Sequence, residues 1–525
     1  MEIELLKNPP KETTLQVHPP CGPVLGEIKK EISVFKGIPY AEPPINENRF
    51  RPPQKKKPWE TPLECFEFGP KCLQFGGILA DLTSMYSIEG KSEDCLYLNL
   101  WTPSTTSDNP KKYPVYVYIH GGGFATGSGA EIMFDGTSLA KRGVIVVTFN
   151  YRLGALGFLT LNALKEESGV TGNYGLMDQM MALTWVKENI AAFGGDPDQI
   201  TVGGESAGAF SVTGLLLSPA AKGLFHRAVI ESGAILSIGS FCSRTRGNLR
   251  KSIQMGQEMA EIFGADDTDQ GLKILREIPA EAFAHLSMVK ADQSLPLRFS
   301  FWPVFDGVLL PKDPIKALKD GDFNAVDLLL GYNTNESTLF IKNTINTGSY
   351  TTMIYEIFGP AHAPTIFQCF PTEDEKETRK ALEDLFTITG FTLGMRIFAD
   401  YYSDHGQSVY FYNFNYDPAI LKIVGLDTAH SLELPFVFGN LINGLPFGRL
   451  STLSDQMQTH WTNFMKNGDP NHGGLYKNML YWPEYQRHCR QMMVFDKQLS
   501  NKIMPNPELL DMIEGFLFGE NPCYL

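Results

Sequence analysis

The sequence of 525 residues predicts an α/β fold built on a large, mostly parallel central sheet flanked by helices, and three observations carry that expectation. Apolar, β-branched runs recur along the chain, helical patterns stand between many of them, and no repeat of 20–50 residues points to a solenoid or propeller. The strand runs are PVYVYIH at 114–120, VIVVTFNY at 144–151, QITVGG at 199–204, HRAVIES at 226–232, DLLLGYN at 327–333 and SVYFYNF at 408–414. They are nearly continuous in hydrophobicity, as strands are in a sheet covered on both faces.

The helices follow from spacing and stop signals. Residues 175–192, GLMDQMMALTWVKENIAA, carry apolar side chains at helical intervals and run into Phe193-Gly194-Gly195, a glycine stop. Residues 207–217 predict a mostly apolar, buried helix, and 451–467 and 506–518 predict later ones. The stretches 234–325 and 340–405 are richer in helical pattern. They are expected to be insertions that cover one edge of the sheet, within one domain over 1–525, because no Gly/Ser or Pro tract marks a linker.

Composition narrows the function. A formal net charge of -14 disfavours nucleic acid and anionic membranes as partners, since both select a positive field. No apolar stretch approaches the ~18 residues of a membrane helix. The start, MEIELLKNPPKETT, lacks the basic and apolar regions of a secretory signal, so the expected location is the cytoplasm, or outside the cell if a leader precedes this sequence. Eight cysteines include no CxxC pair, and Cys242 has no partner nearby in sequence. No HExxH, P-loop or GxGxxG occurs, so neither metal nor cofactor is expected.

Two glycine motifs carry the chemistry. In GGESAGAFSVTG at 203–214, Gly204-x-Ser206-x-Gly208 has the form of a nucleophile elbow, a sharp strand-to-helix reversal with the serine at its apex. A chain of this composition carries such a pattern by chance roughly 0.3 times. A tight structural turn is therefore the alternative, and the predicted strand before and helix after favour the elbow. IHGGGF at 119–124 also follows a strand run. It reads either as a flexible loop or as an oxyanion hole, with donors Gly122, Gly123 and the N–H of Ala207. The two motifs in this order point to acyl transfer by a serine.

Such a serine requires a base and a group to orient it, in the chain order Ser, acid, His. The histidines after Ser206 are His226, His285, His362, His405, His430, His460, His472 and His488. His226 lies too close to the serine, and His430, after the late run SVYFYNF, suits delivery over the sheet edge best. The acid should follow an intermediate strand. Glu336 does so in DLLLGYNTNESTLF, with Glu433 and Asp427 as competitors.

These motifs together resemble the type-B carboxylesterases, the family of cholinesterases, liver carboxylesterases and bacterial p-nitrobenzyl esterases. FKGIPYAEPP, SEDCLYLNLWTP, YIHGGGFATGS, FNYRLGALGFL, ITVGGESAGAF, GYNTNESTLF and AHSLELPFVFG appear in the family's order over nearly the whole chain. The resemblance implies an α/β-hydrolase fold and a serine esterase that forms an acyl-enzyme on small to medium hydrophobic esters, with water as co-substrate. A lipase for longer acyl chains and a non-catalytic, neuroligin-like binding protein are the alternatives. It implies Ser206 as nucleophile, His430 as base, Glu336 as acid, and Gly122, Gly123 and Ala207 as oxyanion donors. It places Glu205 and Ser232 behind them as supporting residues. It also implies the ion pairs Arg49–Glu93 and Arg152–Asp178, and a disulfide between Cys72 and Cys95. The sequence departs from the cholinesterases in the segment between those cysteines, which has Phe75 and Tyr86 but no Trp, so a choline-stacking site is not expected. The 94-residue spacing from Glu336 to His430 is closer to the bacterial members.

Overall fold

The computed structural model of the protein describes residues 13–29, 31–74, 90–103, 112–239, 249–286, 301–341, 347–417, 428–441, 448–473 and 479–519. Phe75, Tyr86, Cys242 and Asp427 lie outside the described residues. The strands are β1 (Thr13–Val17), β2 (Val24–Lys29), β3 (Ile32–Pro39), β4 (Leu63–Glu64), β5 (Lys71–Cys72), β6 (Lys91–Ser92), β7 (Tyr97–Pro103), β8 (Tyr113–Ile119), β9 (Ile145–Phe149), β10 (Gly195–Glu205), β11 (Arg227–Glu231), β12 (Asp327–Asn333), β13 (Val409–Phe414), β14 (Gln491–Phe495) and β15 (Ser500–Ile503). The main sheet runs β1-β2-β3-β7-β9-β8-β10-β11-β12-β13-β14-β15, with β4 beside β2, and β5 and β6 form a separate pair.

Every pairing from β9 across to β14 is parallel. The strand runs predicted from hydrophobicity are β8 to β13, and β14 is not among them. Antiparallel pairings occupy the ends of the sheet, among β1, β2, β3, β7 and β9 on one side and between β14 and β15 on the other. Strands near an edge are polar on one side, as in the largely exposed β15, and their hydrophobic pattern is correspondingly weak.

The period-2 alternation of the central strands divides the core between the two faces of the sheet. Val115, Val117 and Ile119 of β8 join one hydrophobic cluster, and Tyr116 and Tyr118 join the other. The helices used below are α1 (Tyr174–Asn189), α2 (Ala207–Leu217), α3 (Asp269–Glu277), α4 (Glu375–Thr387), α5 (Leu393–Asp404), α6 (Gly448–Asn467) and α7 (Pro507–Phe518). The glycine stop after α1 is Gly194, in the left-handed region at φ 83° after a short 3-10 turn. A π-helical turn, Ile388–Thr392, joins α4 to α5. Among the described residues no helix is long and apolar enough to cross a membrane.

Register then aligns the carboxyl ends of the strands. Gly204 pairs with Ile119 on one side and Ile230 on the other, and Glu231 pairs with Gly331. The residues that leave these ends are His120 to Gly123, Ser206, Ser232 and Glu336. In a parallel α/β sheet this edge is where ligands bind.

Candidate active site

A single residue turns the chain from β10 into α2. Ser206 has φ 56° and ψ -122°, a conformation that costs a non-glycine residue about 1–3 kcal/mol. Two backbone hydrogen bonds hold it there: Ser206 N donates to Glu231 O at 2.9 Å, and Phe210 N donates to Ser206 O at 2.9 Å. The flanking glycines are sterically required. A Cβ at Gly208 would stand 2.0 Å from Ile119 O, and one at Gly204 would stand 2.6 Å from the carbonyl carbon of Gly208. The elbow can therefore form only if both positions lack a side chain.

The glycine run after β8 lies against this elbow. A Cβ at Gly121 would be 3.1 Å from Ser206 Cβ. Gly122 and Gly123 have φ 105° and 62°, and a Cβ at Gly122 would fall 2.1 Å from Thr126 O. Among the described residues, no atom lies within 4 Å of a Cβ at Gly123. Ala125 N and Thr126 N both donate to Gly122 O, at 3.1 and 3.0 Å, and so close a tight turn. Among the described residues, none of the N–H groups of Gly122, Gly123 and Ala207 is used in a hydrogen bond. Behind the loop, His120 is buried, stacks on Tyr151 at 4.4 Å and lies 2.8 Å through Nδ1 from Gly121 O. Burial pushes its pKa down to about 4, so the ring is neutral and Nδ1–H is the donor.

Of the histidines considered from sequence, the structure sets His430 against Glu205, the residue before Ser206. Its Nδ1 lies 2.6 Å from Glu336 Oε2, and both side chains are buried. Glu336 is fixed through its other oxygen, which accepts from Asn333 N at 2.6 Å. His430 Nε2 lies 3.0 Å from Glu205 Oε1 but is not aligned for a directed hydrogen bond with any described residue, Ser206 included. Glu205 is held by Ser431, whose Oγ donates to Oε1 at 2.5 Å. Phe340 and Phe391 pack on the imidazole at 5.2 and 4.9 Å between centroids. Other histidines have different surroundings: His362 stacks on Phe516, and His460 bonds to Pro470 O.

Glu433, a competitor for the acid from sequence alone, is also in the cluster, one layer further from His430. Its Oε2 accepts from Asn333 Nδ2 at 2.5 Å, and Ser232 Oγ approaches its Oε1 at 3.4 Å. Ser232 thus reaches Glu433, not Glu336 directly. Asn333 joins the two acids, since its N–H serves Glu336 and its side chain serves Glu433. Sequence reasoning missed Asn333 and Ser431. Their only signal was position, three residues before the acid and one after the histidine.

Burial opposes charge on His430, but Glu205 and Glu336 outweigh it and raise its pKa to about 9. Glu433 is pushed up to about 8 by burial and then by Glu205 and Glu336. The raised histidine pKa stabilises the fold fully below its ordinary 6.5, and that contribution is lost as pH rises through about 9. For His430 to act as a base it must be neutral, and in that role kcat/KM is expected to climb with pH through the same titration. Glu205→Gln removes the largest charge raising that pKa. The acid limb should then move to lower pH by about one unit, with a lower plateau because the imidazolium formed during reaction loses a counter-charge. A pH–rate profile checks this, and an unmoved limb would reduce Glu205 to packing.

The two ion pairs implied by resemblance are present. Arg49 Nε and Nη2 meet Glu93 at 2.5 and 2.8 Å, and its Nη1 also donates to the carbonyls of Leu275, Arg276 and Ile278 at the end of α3. Arg152 grips Asp178 of α1 through two nitrogens, at 2.7 and 2.8 Å. The disulfide implied by resemblance is not formed in this structure: Cys72 and Cys95 are buried free thiols, and a hydrogen bond with Cys72 together with burial holds the Cys95 thiol well above its ordinary pKa. Trp302 packs edge-on against Phe124 and Phe210, beside the two glycine motifs, while Phe301 is buried in the core.

The model of the carboxylesterase family matches residues 13–509. Para-nitrobenzyl esterase of Bacillus subtilis (strain 168) is 35% identical over 505 residues, which cover 93% of this chain and 96% of that protein. Neuroligin-3 of Mus musculus is 33% identical over 515 residues, covering 86% of this chain and 60% of that one. A solved PNB esterase superposes with a TM-score of 0.81 at 33% identity, covering 95% of this chain and 99% of the other. The chain belongs to the carboxylesterase family and is a serine hydrolase of carboxylic esters.

Proposed function

We propose that Ser206 attacks the carbonyl of small to medium hydrophobic esters, with His430 as its base, Glu336 as the group that orients the base, and the N–H groups of Gly122, Gly123 and Ala207 as the oxyanion hole. The observation that carries this reading is the 2.6 Å contact between His430 and Glu336 at the strand edge that also carries the half-buried Ser206. With Nδ1–H donating to Glu336, the neutral ring presents a lone pair at Nε2, which needs a proton donor. Ser206 Oγ–H supplies it as Oγ bonds to the ester carbon, and the C=O electron pair moves onto oxygen. The unused N–H groups receive that charge, each contributing about 3 kcal/mol in comparable sites. Collapse expels the alkoxide, which takes the proton from Nε2. Water, deprotonated by the same nitrogen, then releases the acid and restores Ser206. We read 234–325 and 340–405 as the insertions that wall this site.

A fluorophosphonate probe tests the reading. Stoichiometric labelling that maps to Ser206 is expected. A chain that takes no label behaves as a non-catalytic member, and a label elsewhere overturns the assignment. A series of p-nitrophenyl esters of graded length, together with a triglyceride assayed below and above its solubility limit, separates an esterase from a lipase. The expected result is highest kcat/KM on short to medium chains and no jump at the limit.

A further inference from the structure

We infer that Gln74 is a positioning residue for the oxyanion loop, acting on it through Gly127; the inference rests on the proposed role of Gly122 and Gly123. Gln74 follows β5, outside the main sheet, and its side chain is buried. Its amide meets the backbone of Gly127 as a neighbouring strand would. Gly127 N donates to Oε1 at 2.8 Å, and Nε2 donates to Gly127 O at 2.9 Å. Nε2 also donates to Cys72 O at 3.0 Å. The donor and acceptor ends of the amide are both engaged, and no other residue bridges the β5 segment to Gly127 in this way among the described residues.

Gly127 transmits that hold. It lies where the glycine turn ends, at φ 108°, and a Cβ there would be 2.5 Å from His120 Nδ1 and 2.6 Å from Gly121 O. The exit of the loop is therefore packed directly on its entry. Between them the turn has no slack, because Gly122 O accepts from both Ala125 N and Thr126 N. A displacement of Gly127 is passed back to Gly122 and Gly123. Asn150 ties the next residues to the same segment: its Oδ1 accepts from Ser128 Oγ and Gly129 N at 3.0 and 2.9 Å, and its Nδ2 donates to Pro70 O at 3.0 Å. The segment in turn is fixed to the core at Cys72, whose Sγ accepts from Leu153 N at 3.3 Å. Gln74 is thus the outermost of a set of contacts that aim the loop, and the nearest to its glycines.

Residue type matters. A glutamine side chain offers one acceptor and two donors, a glutamate offers acceptors only, and an alanine offers neither. In the full-length enzyme, Gln74→Ala should lower kcat on p-nitrophenyl butyrate about 10- to 100-fold while KM stays within about threefold, as expected when donors are misplaced by a fraction of an ångström. An aryl trifluoromethyl ketone adds to the serine and places an oxyanion in the hole. Its affinity should fall by the same factor as kcat/KM. Gln74→Glu, which preserves volume and the acceptor for Gly127 N–H, should lie between wild type and alanine in both measurements. A Gln74→Ala enzyme with wild-type kcat overturns the inference, as does one whose kcat falls while ketone affinity holds. Ser206→Ala run alongside separates the two levels: if it retains activity the proposed mechanism fails, and if it is inactive while Gln74→Ala is unchanged, only the role of Gln74 fails.

Discussion

Ser206→Ala and His430→Ala are each expected to lower kcat/KM by about 10⁴-fold or more, and the double variant should be scarcely worse than the weaker single one. The reason, on the proposed mechanism, is that the two side chains act in one step. Without Oγ there is no proton for Nε2 to take, and without Nε2 the hydroxyl keeps its proton. Removing the second group then removes nothing that still works. What survives in all three variants is binding and the oxyanion donors, so the residual rate should be the same and still above that in water. The measurement is kcat/KM on one activated ester for the wild type, both single variants and the double. Independent, multiplying losses would show that Ser206 and His430 do not form a unit. The absence of a directed Ser206–His430 bond in the resting structure is no obstacle, because catalytic hydrogen bonds often tighten only when substrate is bound.

The sheet and site were legible to different depths for physical reasons. Strands buried on both faces announce themselves by composition, and DLLLGYN coincides with β12 residue for residue. The antiparallel strands at the ends of the sheet have weaker patterns and were not read. At the site, Ser206 and the glycines were legible because their backbone geometry restricts residue type, as the clashes at Gly204, Gly208 and Gly122 show. Glu336 and His430 are 94 residues apart, and no local rule links them, so residue-level reasoning left competitors and the family's motif order was needed to choose. Asn333 and Ser431 were invisible because a hydrogen bond between buried acids requires only a small donor in the right place, which no spacing encodes. Gln74 was invisible for the same reason: its partner is a backbone, and a backbone has no signature in sequence.

Asp178→Ala should destabilise the protein by about 3–5 kcal/mol, because it leaves a buried guanidinium without its counter-charge. Arg152 and Asp178 are both almost fully buried, with side-chain exposures of 2% and 0%. The carboxylate takes Nε, Nη2 and the backbone N–H of Arg152, at 2.8, 2.7 and 3.0 Å. No water can replace three such contacts without opening the interior. Nη1 donates to Arg51 O at 2.8 Å, and the guanidinium lies over Tyr174, so Arg152 cannot swing out without breaking those contacts as well. Two neighbours carry the damage to the site. Tyr151 OH donates to His120 O at 3.0 Å, and Gly154 N donates to Phe124 O at 2.7 Å, so the segment around Arg152 braces both ends of the glycine loop. Activity at a temperature where the variant is still folded should therefore fall along with the denaturation midpoint. A second variant decides whether charge or shape is responsible. Replacing both partners by apolar residues, Arg152→Met with Asp178→Leu, removes the uncompensated charge and should recover much of the lost stability. If the loop depends on the anchoring geometry of the pair, that double variant regains its urea midpoint but not its kcat. If both return together, the pair serves stability alone.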